Sequence, residues 1–324
     1  MTYPPSTYIR LEIELETAGG ERSDPGPSSL GPRLRGALGK ALVDSFCAFG
    51  EPRCDPKGKG RQPSPPSPEE LCRLAAACPY GVLYAASLTR RPPFALYLSP
   101  SDDADARLKV ELTLYGPGWR HYAWVLVALA RAAQHLGSRD RPALRIAALR
   151  RIHPDRSATS HWGTDLSALP ADLTPDLLGL APEPFVAPRP VALDLLSPTH
   201  LLSHGRPLPR DEPVLFGILI KSTLDRFAGL YGSSASPVLA QEIRATVEAA
   251  AAEVPLLEQD LRAAEASHYS RRSRAQLDLG GVVGRLVYGP QAAAFIHILR
   301  AAEILHLGKN PTFGCGRLRV DLLS

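Results

Sequence analysis

The chain has 324 residues, 37 basic and 33 acidic, for a net charge of +4. That length suggests roughly two domains of about 150 residues each, and 44% apolar residues are enough to pack them. No run approaches the roughly 20 apolar residues of a membrane helix, and the polar, proline-bearing start (Met1 to Arg10) does not read as a signal peptide, so a cytoplasmic protein with no membrane partner is expected.

Tyr8 to Glu16 alternates apolar and polar residues, the pattern of a half-buried strand. A Gly/Pro-rich turn follows, and Ser28 or Ser29 can cap a helix starting near Leu30. That helix puts Leu34, Leu38 and Leu42 on one face, and Arg33, Arg35 and Lys40 off it, available to solvent or to a ligand, with Arg33 and Arg35 as candidates for RNA binding. Gly31 to Gln62 carries seven basic residues against three acidic ones, one of two basic concentrations in the chain.

Four of the five cysteines, Cys47, Cys54, Cys72 and Cys78, lie within 32 residues as C-x6-C and C-x5-C pairs. Clustered cysteines without a secretory signal read as metal ligands, and four thiolates suit a closed, structural zinc site. Such a site would pin the Pro/Gly/Lys-rich loop between the pairs. The fifth cysteine, Cys315, fills a small space between two glycines.

A helix is expected over Glu69 to Ala77, strands over Phe94 to Leu98 and Leu108 to Leu114, a helix over Trp119 to Gln134 and a strand over Ala143 to Ile152. The proline-rich stretch 155–190 reads as a connection between domains. Beyond it come a strand (Val191 to Leu196), a helix (Val214 to Tyr231), a strand (Gly280 to Tyr288), a helix (Gln291 to His306) and a last strand (Leu318 to Leu322). Two halves, 1–154 with a Cys-rich insertion at about 47–78 and 191–324, suggest an α+β protein of tandem ferredoxin-like (RRM-like) domains. The second basic concentration runs from Leu261 to Ser324, with nine basic residues against four acidic. It includes Arg271, Arg272 and Arg274, a loop suited to gripping an RNA backbone.

The sharpest motif is ILHLGKNPTFGCGRLRV, from Ile304 to Val320. Gly308 can stop the preceding helix. Gly308, Gly314 and Gly316 let backbone approach a ligand and expose N–H groups to phosphate. Lys309 and Arg317 add charge, and Phe313 can stack on a base. The order helix, loop, strand excludes a Walker loop and a Rossmann fingerprint, which both need strand, loop, helix.

This motif at the C-terminus resembles the glycine-rich loop of the CRISPR-associated RAMP superfamily, in particular its endoribonucleases that process precursor CRISPR RNA. LRGALGKAL (Leu34 to Leu42), CPYGVLY (Cys78 to Tyr84), LDLLSPTHLL (Leu193 to Leu202) and HYSRRSRAQLDLGGVVGRLVY (His268 to Tyr288) resemble further segments of that family, in order along the chain. The resemblance implies a double ferredoxin-like fold that holds a repeat stem-loop. It implies cleavage by the RNA's own 2′-hydroxyl, giving a 2′,3′-cyclic phosphate, with no metal or cofactor required for that step. Its partners would be CRISPR repeat RNA and other CRISPR effector subunits. Many relatives carry a His on or near the first helix, and this chain has none before His121. The candidates for proton transfer are therefore Lys40, His306 beside the glycine-rich loop, and His268. A chain lacking such a group would be a guide-RNA-binding subunit that does not cut.

Overall fold

A computed structural model describes residues 6–17, 27–48, 72, 74–85, 91–100, 107–136, 143–162, 173–181, 187–203, 205–209, 211–232, 235–270 and 275–324. These fall into two compact units: Thr7–Asp176 with Ser270–Ala275, and Met1–Ser6, Leu177–Tyr269 and Gln276–Ser324.

The first unit runs β1 (Thr7–Thr17), α1 (Pro27–Phe46), α2 (Pro79–Tyr84), β2 (Phe94–Pro100), β3 (Leu108–Tyr115), α3 (Tyr122–His135), β4 (Leu144–Ile152) and β5 (Ala158–Trp162). Its sheet has the order β2-β3-β1-β4-β5, with antiparallel pairing throughout. Period-two patterning explains β1. Ile9, Leu11, Ile13 and Leu15 are buried in the core with Leu34, Leu38 and Leu42 of α1 and Val125, Leu129 and Ala132 of α3. The alternate residues Glu12, Glu14 and Glu16 face arginines instead. Arg150 bridges Glu12 at 3.0 Å and Glu14 at 2.5 Å, and Arg145 meets Glu16 at 2.7 Å.

Helix α1 starts at Pro27, three residues before the expected Leu30. A proline suits the first turn, where its missing N–H would have no partner anyway. The helix expected over Glu69 to Ala77 is not found where it can be seen, because Leu74 to Ala77 form a turn. Pro79 pushes Cys78 into extended backbone (φ −82°, ψ 132°) and serves as the first residue of the short α2. Strand β5 lies in the stretch that reads as irregular, and it extends the sheet past residue 154.

Small elements follow: β6 (Asp176–Leu177), then, after β7 (Val191–Thr199), the pair β8 (Leu202–Ser203) and β9 (Arg206–Pro207). The second unit continues with α4 (Phe216–Tyr231), α5 (Gln241–Ala252), β10 (Leu256–Ala264), β11 (Ser267–Ser270), β12 (Ala275–Asp278), β13 (Gly281–Tyr288), α6 (Ile296–Leu305) and β14 (Leu318–Leu322). Its main sheet has the order β10-β13-β7-β14, while β11 and β12 form a two-stranded sheet of their own. Leu193 and Leu195 of β7, Leu219, Leu224 and Phe227 of α4, and Ile298 and Leu299 of α6 are buried. Phe216 packs edge-on against Tyr288 and Phe295, at 5.0 and 5.4 Å between ring centroids. Each unit is thus a mixed α+β layer pair on an antiparallel sheet.

The two units share one device at a helix end. In the first, Arg33 of α1 donates to the Leu136 carbonyl just past α3, at 3.0 Å. In the second, Arg226 of α4 donates to the Leu305 carbonyl that ends α6. A guanidinium there meets a carbonyl with no helical partner and the negative end of the helix dipole. Among the described residues, no helix is long and apolar enough to cross a membrane.

Candidate functional site

The turn from α6 to β14 changes hand repeatedly, with positive φ at His306 (63°), Gly308 (71°), Asn310 (62°), Gly314 (98°) and Gly316 (77°). The helix ends at Leu305, so His306 rather than Gly308 is the first left-handed residue. A non-glycine residue held there costs about 1–3 kcal/mol and persists only where its surroundings fix it. Here the His306 N–H donates to Ala302 O at 2.8 Å. Its Nδ1 lies 3.1 Å from the Cys315 carbonyl, which can only accept. The side chain is 1% exposed. His306 therefore stitches the two arms of the turn together from inside the fold.

Most backbone N–H groups of this turn are already paired within the fold, where the sequence suggests a loop that offers them to phosphate. Leu307 donates to Gly316 O (2.7 Å), Lys309 to His200 O (3.3 Å), Phe313 to Asn310 O (2.9 Å) and Gly316 to Pro198 O (3.0 Å). Gly308 and Arg317 donate to the hydroxyls of Ser222 (3.4 Å) and Ser197 (2.9 Å). The glycines are required by close approach of chain to chain. A Cβ on Gly308 would lie 2.4 Å from His200 O, and one on Gly316 would lie 1.9 Å from Leu307 O.

The side chains divide between inside and outside. Arg317 is 7% exposed, and its Nη1 donates to the carbonyls of Glu303, at 3.3 Å, and Leu318. Lys309 is exposed. His268, on β11, is half-buried, with its ring 6.1 Å from that of Phe313. The structure thus brings His268, Phe313, Lys309 and the glycine turn together, with His306 beneath. Cys315 is buried, and its thiol donates to Leu279 O at 3.7 Å. Burial, aided by the nearby Asp278 charge, pushes that thiol up to about 12. Maleimide labelling of the native protein at pH 8, read by peptide mass mapping, should leave Cys315 unmodified, whereas labelling after denaturation should include it.

The remaining candidates lie in the other unit or outside the described residues. Lys40 is on the surface of α1, with its side chain 73% exposed and ion-paired to Asp44 one turn on. Arg33 holds the end of α3. Arg35 lies over the Tyr84 ring at 5.1 Å, and the Tyr84 hydroxyl donates to the Arg35 carbonyl at 2.9 Å. Arg271, Arg272, Arg274 and Cys54 are outside the described residues. Cys47, Cys72 and Cys78 are half-buried, and none forms a disulfide among the described residues. Among the described residues no group of three or more His, Cys, Asp or Glu is placed to hold a metal.

Sequence reasoning overlooked His200 and Asp278. His200 follows β7 directly. Its carbonyl accepts from Lys309, its Nδ1 lies 3.4 Å from Gly280 O, and its buried Nε2 has no hydrogen-bond partner. Asp278 ends β12, and its carboxylate accepts from Gly280 N at 2.8 Å. The available signal was position, since each stands at a strand end beside a glycine or proline turn.

Residues 193–318 match the family described as CRISPR-associated endoribonuclease Cas6. Residues 7–168 match the AF_1859_N family, described as an N-terminal domain. No curated protein sequence matches the chain. Among solved structures, one described as a Cas6 product complex is 19% identical, with 97% of this chain and 99% of that chain covered and a TM-score of 0.54. A second Cas6 product complex is 21% identical, with 97% and 99% covered and a TM-score of 0.50. A partial Cas6-RT-Cas1–Cas2 complex is 12% identical, with 100% of this chain and 47% of that chain covered and a TM-score of 0.53. These likenesses show one fold over nearly the whole chain, and within it the stretch from β7 to the start of β14 matches the CRISPR-associated endoribonuclease Cas6 family.

Proposed function

We propose that this chain cuts CRISPR repeat RNA by attack of the RNA's own 2′-hydroxyl on the adjacent phosphate. The 2′-oxygen gives up its proton and forms the new P–O bond, the bond to the 5′-oxygen breaks, and that oxygen takes a proton. The products are a 2′,3′-cyclic phosphate and a 5′-hydroxyl. Because the nucleophile and leaving group are both in the RNA, the protein's task is in-line alignment, proton transfer and charge stabilisation.

The observation that carries this reading is the Cas6 match over residues 193–318, which includes the whole turn from His306 to Arg317. The order of strands and helices in each unit supports a tandem ferredoxin-like pair. Lys309, Phe313 and the arginines 271, 272 and 274 are the groups we assign to RNA contact. Of the candidates for proton transfer, His268 has the geometry best suited to the task, half-exposed beside Phe313. Lys40 is a second, exposed candidate. His306 is assigned to positioning, because its ring is buried against the Cys315 carbonyl. Solved relatives are described as a Cas6 product complex and as a partial Cas6-RT-Cas1–Cas2 complex, and for this chain we propose repeat RNA as the primary partner and other Cas proteins as further ones. A structural zinc on Cys47, Cys54, Cys72 and Cys78 rests on their spacing, and elemental analysis of the purified protein should return about one zinc per chain.

The test is cleavage of 5′-labelled repeat RNA in EDTA, repeated with a 2′-deoxy sugar at the mapped cut. A single cut that persists in EDTA and vanishes with the 2′-deoxy sugar is expected. Loss of a general acid or base lowers single-turnover rates by about 10²–10⁴-fold, and His268→Ala is expected to fall in that range with binding retained. An unchanged His268→Ala rate would move the role to Lys40. Salt-sensitive binding with no cut would leave a protein that only holds its RNA.

A further inference from the structure

Behind the glycine turn lies a cavity of about 740 Å³ that the reading above does not use. Its size is within the range of roughly 300–1,000 Å³ typical of small-ligand sites. It is open to one side, and its described lining residues all belong to the second unit: the end of β7, the stretch from β9 to Val214, and the corner where β10 and β13 pass into β11 and β12. It shares walls with the glycine turn. His200 lines it and accepts from Lys309 N. Asp278 lines it too, and its carbonyl lies 3.5 Å from Asn310 Nδ2.

The walls are fixed in place. Val214 is held from both sides, its N–H by the Gln259 side chain (2.9 Å) and its carbonyl by the Tyr288 hydroxyl (2.6 Å). Leu208 N–H donates to Leu201 O at 3.0 Å, and Leu279 N–H to Ala266 O at 2.8 Å. A cavity framed this way requires little ordering when a ligand enters.

Its chemistry selects the ligand. Leu208, Val214, Leu261 and Val282 supply apolar surface. The charged groups among its described lining residues are two carboxylates, Glu265 and Asp278, with no Lys or Arg. A phosphate would be repelled there. One Asp278 oxygen already accepts from Gly280 N, which leaves the other for a donor. The Ser267 hydroxyl oxygen accepts from Gln276 at 2.7 Å, so its own proton is available to an acceptor. A flat apolar body with an amino donor beside an acceptor matches the edge of a nucleobase.

We infer that this cavity takes one unpaired nucleobase of the bound RNA, and one that bears an exocyclic amino group. The inference rests on the RNA-processing reading and names a contact within it. The base sits between Leu208 and Val214 on one side and the β10–β13 corner on the other, with its amino group toward Asp278. The RNA backbone stays outside, on the side of Lys309.

The experiment is an abasic scan. Repeat RNAs, each lacking one base, are bound to the full chain and to two cavity-filling variants, Ala264→Phe and Leu208→Trp, whose folding is checked by circular dichroism. One abasic position should weaken wild-type binding by at least about tenfold, the scale of a single buried base, and that penalty should vanish in a folded filling variant. Asp278→Asn keeps an oxygen for the Gly280 turn while offering an amide donor. It should weaken the preference for an amino-bearing base at that position and, among pyrimidines, shift it from cytosine toward uracil. RNA binding without any position whose penalty the filled cavity removes overturns the inference and leaves the nuclease reading standing. Failure of the wild-type chain to bind repeat RNA at all overturns both.

Discussion

Gly316→Val is expected to destabilise the protein by about 4 kcal/mol and to abolish tight RNA binding. Two costs combine. Gly316 sits at φ +77°, where a β-branched side chain is strained by about 1–3 kcal/mol. Its Cβ would also fall 1.9 Å from the Leu307 carbonyl, a backbone atom that cannot swing aside. Relief requires separating the two arms of the turn. That breaks the Leu307 N–H to Gly316 O bond, and leaving such groups buried and unmet costs about 1–3 kcal/mol. Gly36→Ala is the control. Gly36 lies within α1 with nothing within 4 Å of its Cβ position, so the change should stabilise the protein by about 0.5–1 kcal/mol. Urea unfolding followed by circular dichroism reads both. A Gly316→Val protein with wild-type stability would contradict the packing described for the turn.

Arg226→Ala is expected to cost about 3 kcal/mol, because it removes a charged hydrogen bond and leaves a hole where a large side chain stood. Arg226 is 4% exposed, and its Nε donates to the last carbonyl of α6. The matching change in the other unit, Arg33→Ala, should cost only about 1 kcal/mol, since Arg33 is half-buried and water can replace it at the Leu136 carbonyl. Arg226→Lys should recover little, as an ammonium does not present the fixed fork of a guanidinium. Paired urea titrations of Arg226→Ala and Arg33→Ala check the ranking. Equal losses would mean that burial does not set the value of this contact.

Much of the scaffold was legible because its signals are local. Alternation in Tyr8 to Glu16 and the Leu34, Leu38, Leu42 stripe give β1 and the inner face of α1, and the structure buries those residues. What escaped was set by tertiary pairing. Strand β10 reads LLEQDLRAA, a run rich in helix formers, and it is extended because β13 pairs with it from Leu256 to Ala264. Helix α5 is rich in alanine and largely exposed, with little apolar stripe to announce it. At the site, the motif of the glycine turn was visible, but the direction of its groups was not. Arg317 reads as a charge for phosphate and is turned into the fold by the carbonyls of Glu303 and Leu318. His306 reads as an available imidazole and is buried by a backbone reversal that no residue type announces. His200 went unnoticed because its Gly280 contact joins the end of β7 to the turn before β13, far apart in sequence, and Asp278 because it reads as an ordinary turn residue beside a glycine.

The paired N–H groups of the glycine turn also bear on how such a protein can change. The turn is held by backbone contacts and by His306, Ser197 and Ser222, none of which needs RNA. Lys309 and Phe313 therefore hang on a frame that stands without them. Substitutions at these two positions can drift, or be selected in the laboratory, toward a different repeat while the frame remains folded. Glycines 308 and 316 have no such freedom, so evolvability and constraint alternate along the same short turn.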